Sequence, residues 1–440
     1  MHNCREGKMR IQRDRYLQKL IDRRDNGMVK VITGIRRCGK SYLLHNIYKE
    51  YLLEQGVAED HILTYELDLA KDIRYRDPLE LAKTVRNRVE GLQEQFYLFI
   101  DEIQMSDEVP NPYNPNGKSI TFYDALNDLN SLPNLDIYVT GSNSRMLSTD
   151  ILTEFRGRGD EIRVNPLSYK EFYSAYAEDK RNAWRDYVTY GGMPQILSQK
   201  SSTDKSRFLH TLFDKIYLDD IMSRNNIANE KSVLDDLLDI VSSSVGSLTN
   251  PSKIQKTFAS AKGTAIADDT ISRYLDYFGD AFLLYQAKRY DVKGRKYIGS
   301  PLKYYFSDIG LRNVRLNFRQ QEENHIMENI IYNELRVRDF DVDVGVVTFN
   351  TRDEYGKSKR IQHEVDFVAN RGSQRFYIQS AFAIPDEQNR RQETASLAGI
   401  GDSFRKIVVV RENIAAWHDE KGILYIGVED FLLDEDSINK

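Results

Sequence analysis

The sequence predicts an α/β fold that opens with a parallel sheet covered by helices, and three observations predict it. From Met28 to about Pro166, short apolar runs alternate with helical patterns, the order expected when parallel strands are joined by crossover helices. The first run leads straight into a glycine-rich string that ends Gly-Lys-Ser. The third ends in two adjacent carboxylates.

The runs are 29–33, 62–67, 96–100, 136–140 and 161–164. Between 167 and 244 turn residues thin out, and Leu234, Leu237, Leu238 and Val241 recur at helical spacing, so this segment reads as all-helical. A turn cluster at 246–251 precedes helices near 252–260 and 269–278 and then a ribbon turning at Lys293-Gly294, which is the order of a winged helix. A mixed α/β region follows, with alternating strands at 364–368 and 376–381. The expected parts are a core at 1–165, a helical lid at 166–245, a winged helix at 246–306 and a small α/β domain at 307–440.

The string Gly34-Ile35-Arg36-Arg37-Cys38-Gly39-Lys40-Ser41 matches G-x-x-x-x-G-K-[ST] between a strand and a helix beginning at Tyr42. Glycines let backbone N–H groups curl around an anion, and the helix N-terminus adds its positive dipole end. Lys40 is the residue for the β/γ-phosphates, and Ser41 is a ligand for Mg²⁺. Residues 34–42 are therefore the expected ATP site. Asp101 and Glu102 close the run Phe96-Tyr-Leu-Phe-Ile100, where the first carboxylate holds the metal and the second polarises the attacking water.

Ser142 and Asn143, after the run 136–140, stand where a γ-phosphate sensor belongs; the same residues are good N-caps for a helix at Met146-Leu147. Arg156 and Arg158 precede the run 161–164, where an arginine can reach a neighbouring subunit's γ-phosphate in a homo-oligomer; surface arginines are otherwise solvated charge. No N-K-x-D string is present, so adenine is expected rather than guanine.

In the second helix of the winged-helix pattern Ile271, Tyr274, Leu275 and Phe278 form one apolar face, leaving Thr270, Arg273 and Tyr277 outward. The ribbon carries Lys288, Arg289, Lys293, Arg295, Lys296 and Lys303 against Asp291 alone. Thr270, Arg273, Lys293, Arg295 and Lys296 are the candidate contacts to double-stranded DNA; packing against a protein partner is the alternative.

At 440 residues the chain exceeds one ordinary core. Its net charge of −5 excludes a global basic field, so any nucleic-acid surface is local. Cys4 and Cys38 support neither a disulfide framework nor a zinc site, a reducing cytoplasm fits them, and no run is long enough for a membrane span.

Taken together, Ile32-Thr-Gly-Ile-Arg-Arg-Cys-Gly-Lys-Ser41, Phe99-Ile-Asp-Glu-Ile-Gln104, Thr140-Gly-Ser-Asn143, Gly157-Arg158, Pro166-Leu-Ser-Tyr-Lys-Glu-Phe172, Tyr190-Gly-Gly-Met-Pro194 and Glu364-Val-Asp-Phe367 make the chain resemble prokaryotic AAA-type ATP-binding proteins that carry a C-terminal domain of unknown function. The resemblance covers nearly the whole chain. It implies an AAA+ core with a helical lid, a winged helix and a restriction-endonuclease-like fold, and it favours Arg158 over Arg156. The Pro- and Asn-rich loop at 106–119 departs from the family pattern. Nuclease folds of this type pair an Asp with Glu-x-Lys on the next strand, whereas Gln379 and Ala381 stand here beside Asp366, so a binding domain that does not cut is expected. The leading expectation is an ATP-hydrolysing switch coupled to DNA. A static nucleotide-holding scaffold with a protein partner and an ATP-gated nuclease are the alternatives.

Overall fold

A computed structural model describes residues 11–142, 155, 157–227, 231–263, 266–319, 322–352, 358–383, 390–391 and 393–440. The chain divides into two compact units: 11–166 with 280–282, and 167–279 with 283–440.

The first unit is built on a five-stranded parallel sheet in the order β2-β3-β4-β1-β5. Its strands are β1 (Val29–Thr33), β2 (Ile62–Glu66), β3 (Phe96–Asp101), β4 (Leu135–Thr140) and β5 (Gly159–Arg163). Every residue of β1, β3 and β4 is buried. This is why these strands read as continuous apolar runs rather than as alternating ones: helices cover both faces of a parallel sheet. Val31, Leu98, Ile100, Ile137 and Val139 pack into one core with Leu81, Val85 and Leu126 from the flanking helices.

Strand order decides what meets at the sheet edge. Because β4 lies between β1 and β3, the carboxyl end of β4 separates the glycine-rich loop from the Asp-Glu pair. All three ends open on the same side, since the strands are parallel.

The second unit begins with helices, including Tyr169–Ala175, Ala183–Tyr190, Ser202–Leu212 and Lys231–Ser243. Gly191 and Gly192 join the second of these to the rest. Gly191 has φ +75°, and a Cβ on Gly192 would stand 2.2 Å from Leu167 O. The backbone N–H of Gly192 donates to the buried carboxylate of Asp308 at 2.6 Å. Burial pushes the Asp308 carboxyl up to about 6, against the three backbone N–H groups that lower it. The Gly-Gly of the family motif is thus a backbone clamp.

The helices Pro251–Lys262 and Asp268–Asp280 and the ribbon β6 (Leu284–Asp291) and β7 (Lys296–Phe306) follow in the expected order. Ile271, Tyr274, Leu275 and Phe278 form the buried face. The ribbon, however, is not a separate wing. β6 pairs in parallel with β8 (Asp341–Arg352), so the ribbon is the edge of an eight-stranded sheet in the order β12-β13-β11-β10-β9-β8-β6-β7. The expected boundary at 306 is therefore crossed by one sheet. Strand pairing between segments far apart in sequence, invisible to local pattern, is the reason. The remaining strands are β9 (Ser358–Arg371), β10 (Gln374–Ala381), β11 (Arg405–Val410), β12 (Trp417–His418) and β13 (Leu424–Gly427), with the helix Glu323–Val337 packed on β8, β9 and β10. No described helix is long and apolar enough to cross a membrane.

Candidate functional site

The loop between β1 and the helix starting at Lys40 is held by contacts that leave little choice of residue. Gly34 has φ +141°, and a Cβ there would lie 2.1 Å from Val164 O, just after β5. Arg37 and Gly39 also have positive φ, 66° and 103°. Cys38 is buried, and its Sγ donates to Val164 O at 3.3 Å. Arg13, itself buried, donates to Cys38 O at 3.2 Å and to Asn165 O at 2.7 Å, tying the loop to the chain beyond β5. Ile35 is buried, whereas Arg36, Arg37 and Tyr42 are exposed.

Lys40 is buried, and its ammonium donates to Gly34 O at 3.0 Å and Ile35 O at 3.2 Å, so the charge lies inside the curl of the loop. Ser41 Oγ donates to Asp101 Oδ1 at 3.0 Å. Thr140, at the end of β4, joins both carboxylate residues: its hydroxyl donates to Asp101 Oδ1 and accepts from the Glu102 backbone N–H at 3.1 Å. Glu102 adopts the left-handed conformation, φ 52°, a strain of about 1–3 kcal/mol for a residue with a Cβ that a structure retains only where surroundings enforce it. Gln104 Nε2 donates to the Glu102 carboxylate and to Ser142 Oγ, the latter at 3.3 Å.

One neighbour escaped the sequence reading. The helix widens to a π-helical stretch at Leu43–Tyr48, and His45 Nε2 stands 3.8 Å from Asp101 Oδ2 without a hydrogen-bond partner among the described residues. Burial depresses the His45 pKa, although the Asp101 charge acts the other way. Its signal was the i, i+4 spacing from Ser41, which puts both on one helix face. The roles of Thr140, Gln104 and Arg13 depend on which strands are neighbours, which the local sequence does not show.

The structure brings Lys40, Ser41, Asp101, Glu102 and Ser142 together. Asn143 and Arg156 lie outside the described residues. Arg158 is placed elsewhere: it is exposed, and its carbonyl accepts from the N–H of Val29, the first residue of β1. Gly34 follows the last residue of that strand, so the length of β1, roughly 15 Å at 3.3 Å per residue, separates the two. Arg158 therefore stands at the opposite sheet edge from its own chain's loop.

In the second unit Thr270 is half-buried and Arg273 exposed on one helix, while Lys293, Arg295 and Lys296 are exposed at the ribbon turn. The turn is fixed to the sheet by the Val292 N–H donating to Val346 O at 3.0 Å and by Lys293 Nζ donating to Thr348 O at 3.1 Å. Lys303, expected among the phosphate-facing cations of the ribbon, is not on its surface. It is buried and pairs with Glu328 at 2.7 Å and Glu364 at 2.6 Å, with Asp366 at 4.0 Å. The carboxylates around it hold its pKa above the ordinary lysine value. Burial with Glu328 and Glu364 nearby pushes the Asp366 carboxyl up to about 8, although Lys303 and the Ser380 N–H act the other way. Gln379 Oε1 accepts weakly from the Asp366 N–H at 3.4 Å, and Ala381 is buried. An ammonium from β7 thus fills the carboxylate cluster of the C-terminal sheet.

A phosphate-type loop, an Asp-Glu strand end and an intervening strand with a polar terminus define the AAA class of P-loop proteins. The chain belongs to the AAA-type ATPase family in which an AAA domain precedes a domain of unknown function: residues 26–173 match the AAA domain, and 181–322 match a domain of unknown function (DUF8612). Over 431 residues it is 33% identical to an uncharacterized protein of Haemophilus influenzae, covering 97% of this chain and 99% of that one. An uncharacterized protein of Methanocaldococcus jannaschii is 27% identical over 420 residues, covering 91% and 85%. Among solved structures, a Walker-type ATPase of Pyrococcus abyssi aligns with a TM-score of 0.48 at 16% identity, over 70% of this chain and 96% of that one.

Proposed function

We propose that the first unit binds ATP with Mg²⁺ and hydrolyses it, and that the cycle switches the second unit's engagement of a partner, with double-stranded DNA the partner favoured. The observation that carries the proposal is the convergence of the Ser41 and Thr140 hydroxyls on Asp101 Oδ1, at the end of a loop that holds the Lys40 ammonium inside its curl. In this reading Lys40 exchanges its loop carbonyls for the β/γ-phosphates. Ser41 Oγ and Asp101 Oδ1, already 3.0 Å apart, would share the metal ion, whose chemistry is to neutralise developing phosphate charge. Glu102, aimed by Gln104 and the strained backbone, accepts the proton of the attacking water. Ser142, linked to Glu102 through Gln104, serves as the γ-phosphate sensor in this reading.

Arg158 completes the site of a neighbouring copy rather than its own, because it stands at the far edge of the sheet. That placement supports a homo-oligomer as the hydrolysing species. DNA coupling rests on the exposed cations Lys293, Arg295 and Lys296 at a turn held rigidly against the sheet.

The test is steady-state ATP hydrolysis with and without duplex DNA over a salt series, in wild type and in a Lys293/Arg295/Lys296 triple-alanine variant. Stimulation by DNA that salt abolishes and the variant lacks supports the coupling. Turnover that DNA leaves unchanged keeps the ATPase and moves the partner to a protein.

A further inference from the structure

Two of the cations read above as DNA contacts, Lys293 and Arg295, also line a concave site in the second unit whose other groups that reading does not use. Between the ribbon turn, the turn joining β9 to β10 and the segment before β11 lies a cavity of about 620 Å³. Three cations line it, Lys293, Arg295 and Arg375, with one acid, Asp402, and the rings of Tyr290 and Phe404. The volume lies in the range of about 300–1,000 Å³ typical of small-ligand sites.

The chemistry of the lining is specific. The Arg375 guanidinium lies between the two rings, 5.3 Å from the Tyr290 centroid and 5.5 Å from that of Phe404, and its Nε donates to Asn370 Oδ1 at 2.8 Å. A planar cation is thereby fixed between aromatic groups. Phe404 keeps 38% of its surface exposed, a large apolar ring left open at the rim of a polar cavity. Among the described residues Arg295 has no hydrogen-bond or ion-pair partner, while Lys293 is steadied over the Phe349 ring at 4.4 Å. Asp402 does not cancel these charges freely: its Oδ2 accepts from Tyr377 OH at 2.6 Å and its Oδ1 from the Phe404 N–H at 3.2 Å.

We propose that this cavity binds a nucleoside phosphate, its phosphate on Lys293 and Arg295 and its base stacked on the open face of Phe404, the ring that Arg375 backs. An acidic peptide would use the cations and leave the ring idle. Duplex DNA would do the same, because its bases are stacked inside a convex cylinder. A single strand offers both groups at once: base–aromatic stacking beside a cationic track is how sequence-tolerant strand binding works. A free nucleotide presents the same chemistry, and the two sources are separable.

The experiment is fluorescence anisotropy of a fluorescein-labelled oligothymidylate strand with the full chain, against the matching duplex and with unlabelled thymidine monophosphate as competitor. Arg375→Ala and Phe404→Ala are compared with wild type, and each is checked for an unchanged melting temperature and unchanged basal ATP turnover. The expected result is strand binding tighter than duplex binding, weakened about tenfold or more in Phe404→Ala and in Arg375→Ala. Competition by the mononucleotide as effective as by unlabelled strand assigns the site to free nucleotides. Failure to bind either probe, equal binding of duplex, or a Phe404→Ala variant that binds as wild type overturns the proposal. Because basal turnover is measured in the same preparations, such a result is distinguishable from failure of the ATPase reading.

Discussion

Ser41 Oγ lies 3.0 Å from Asp101 Oδ1, joining the end of the glycine-rich loop to the end of a strand that is not its neighbour in the sheet. The strand between them supplies Thr140, whose hydroxyl touches Asp101 and the Glu102 backbone. The ends of three parallel strands thus bring two hydroxyls onto one carboxylate and tie the next residue's backbone to the same point. The consequences are measurable.

Lys40→Ala is expected to weaken ATP binding by about 10- to 100-fold, the loss of a charge-assisted contact worth roughly 1.5–3 kcal/mol. Isothermal titration with a slowly hydrolysed analogue checks it. Unchanged affinity would remove Lys40 from the phosphate site.

Thr140→Val keeps the shape of the strand end and removes one hydroxyl. Asp101 loses a donor and the Glu102 N–H loses its acceptor, so kcat falls by about tenfold while the melting temperature changes little. Gln104→Ala, which frees the Glu102 carboxylate, lowers kcat with KM preserved. A change confined to KM in either variant contradicts the positioning roles.

Arg158→Ala is expected to be defective alone and to regain part of its turnover when mixed with Lys40→Ala, since a mixed interface in one orientation joins the intact loop of the first to the intact arginine of the second. The reason is the placement of Arg158 beside Val29, at the far end of β1 from Gly34. A mixture no more active than its separate components would place the arginine outside a shared site.

Asp366 sets a pH dependence of stability. Its folded carboxyl is raised to about 8 from an ordinary value of about 4, so between these limits the folded state holds more protons than the unfolded state. Stability from this group is fully present below about pH 4 and is lost as pH rises towards about 8. The urea midpoint of wild type should fall between about pH 5 and about pH 8, and Asp366→Asn should flatten that slope. A slope unchanged by the substitution would contradict the assignment.

What was legible in the sequence was local. The glycine-rich loop, the Asp-Glu strand end, the five strands of the first sheet and the apolar face of helix Asp268–Asp280 are each fixed by residues a few positions apart. What escaped was set by strand pairing. Lys303 reads as one of several ribbon cations until β6 is found paired to β8, whereupon it is the buried counter-ion of Glu328 and Glu364. Thr140 reads as the last residue of an apolar strand until that strand proves to lie between the loop and Asp101. Arg158 shows the same limit from the other side: its motif was visible, and the sheet edge it occupies was not.

The measurement that tests the central claim most directly is single-turnover ATP hydrolysis by Glu102→Gln beside wild type, with nucleotide binding followed in the same samples. The account predicts that the variant binds ATP as wild type does and hydrolyses it about 10²- to 10⁴-fold more slowly, the span typical of losing a general base. Hydrolysis by Glu102→Gln at close to the wild-type rate would contradict it.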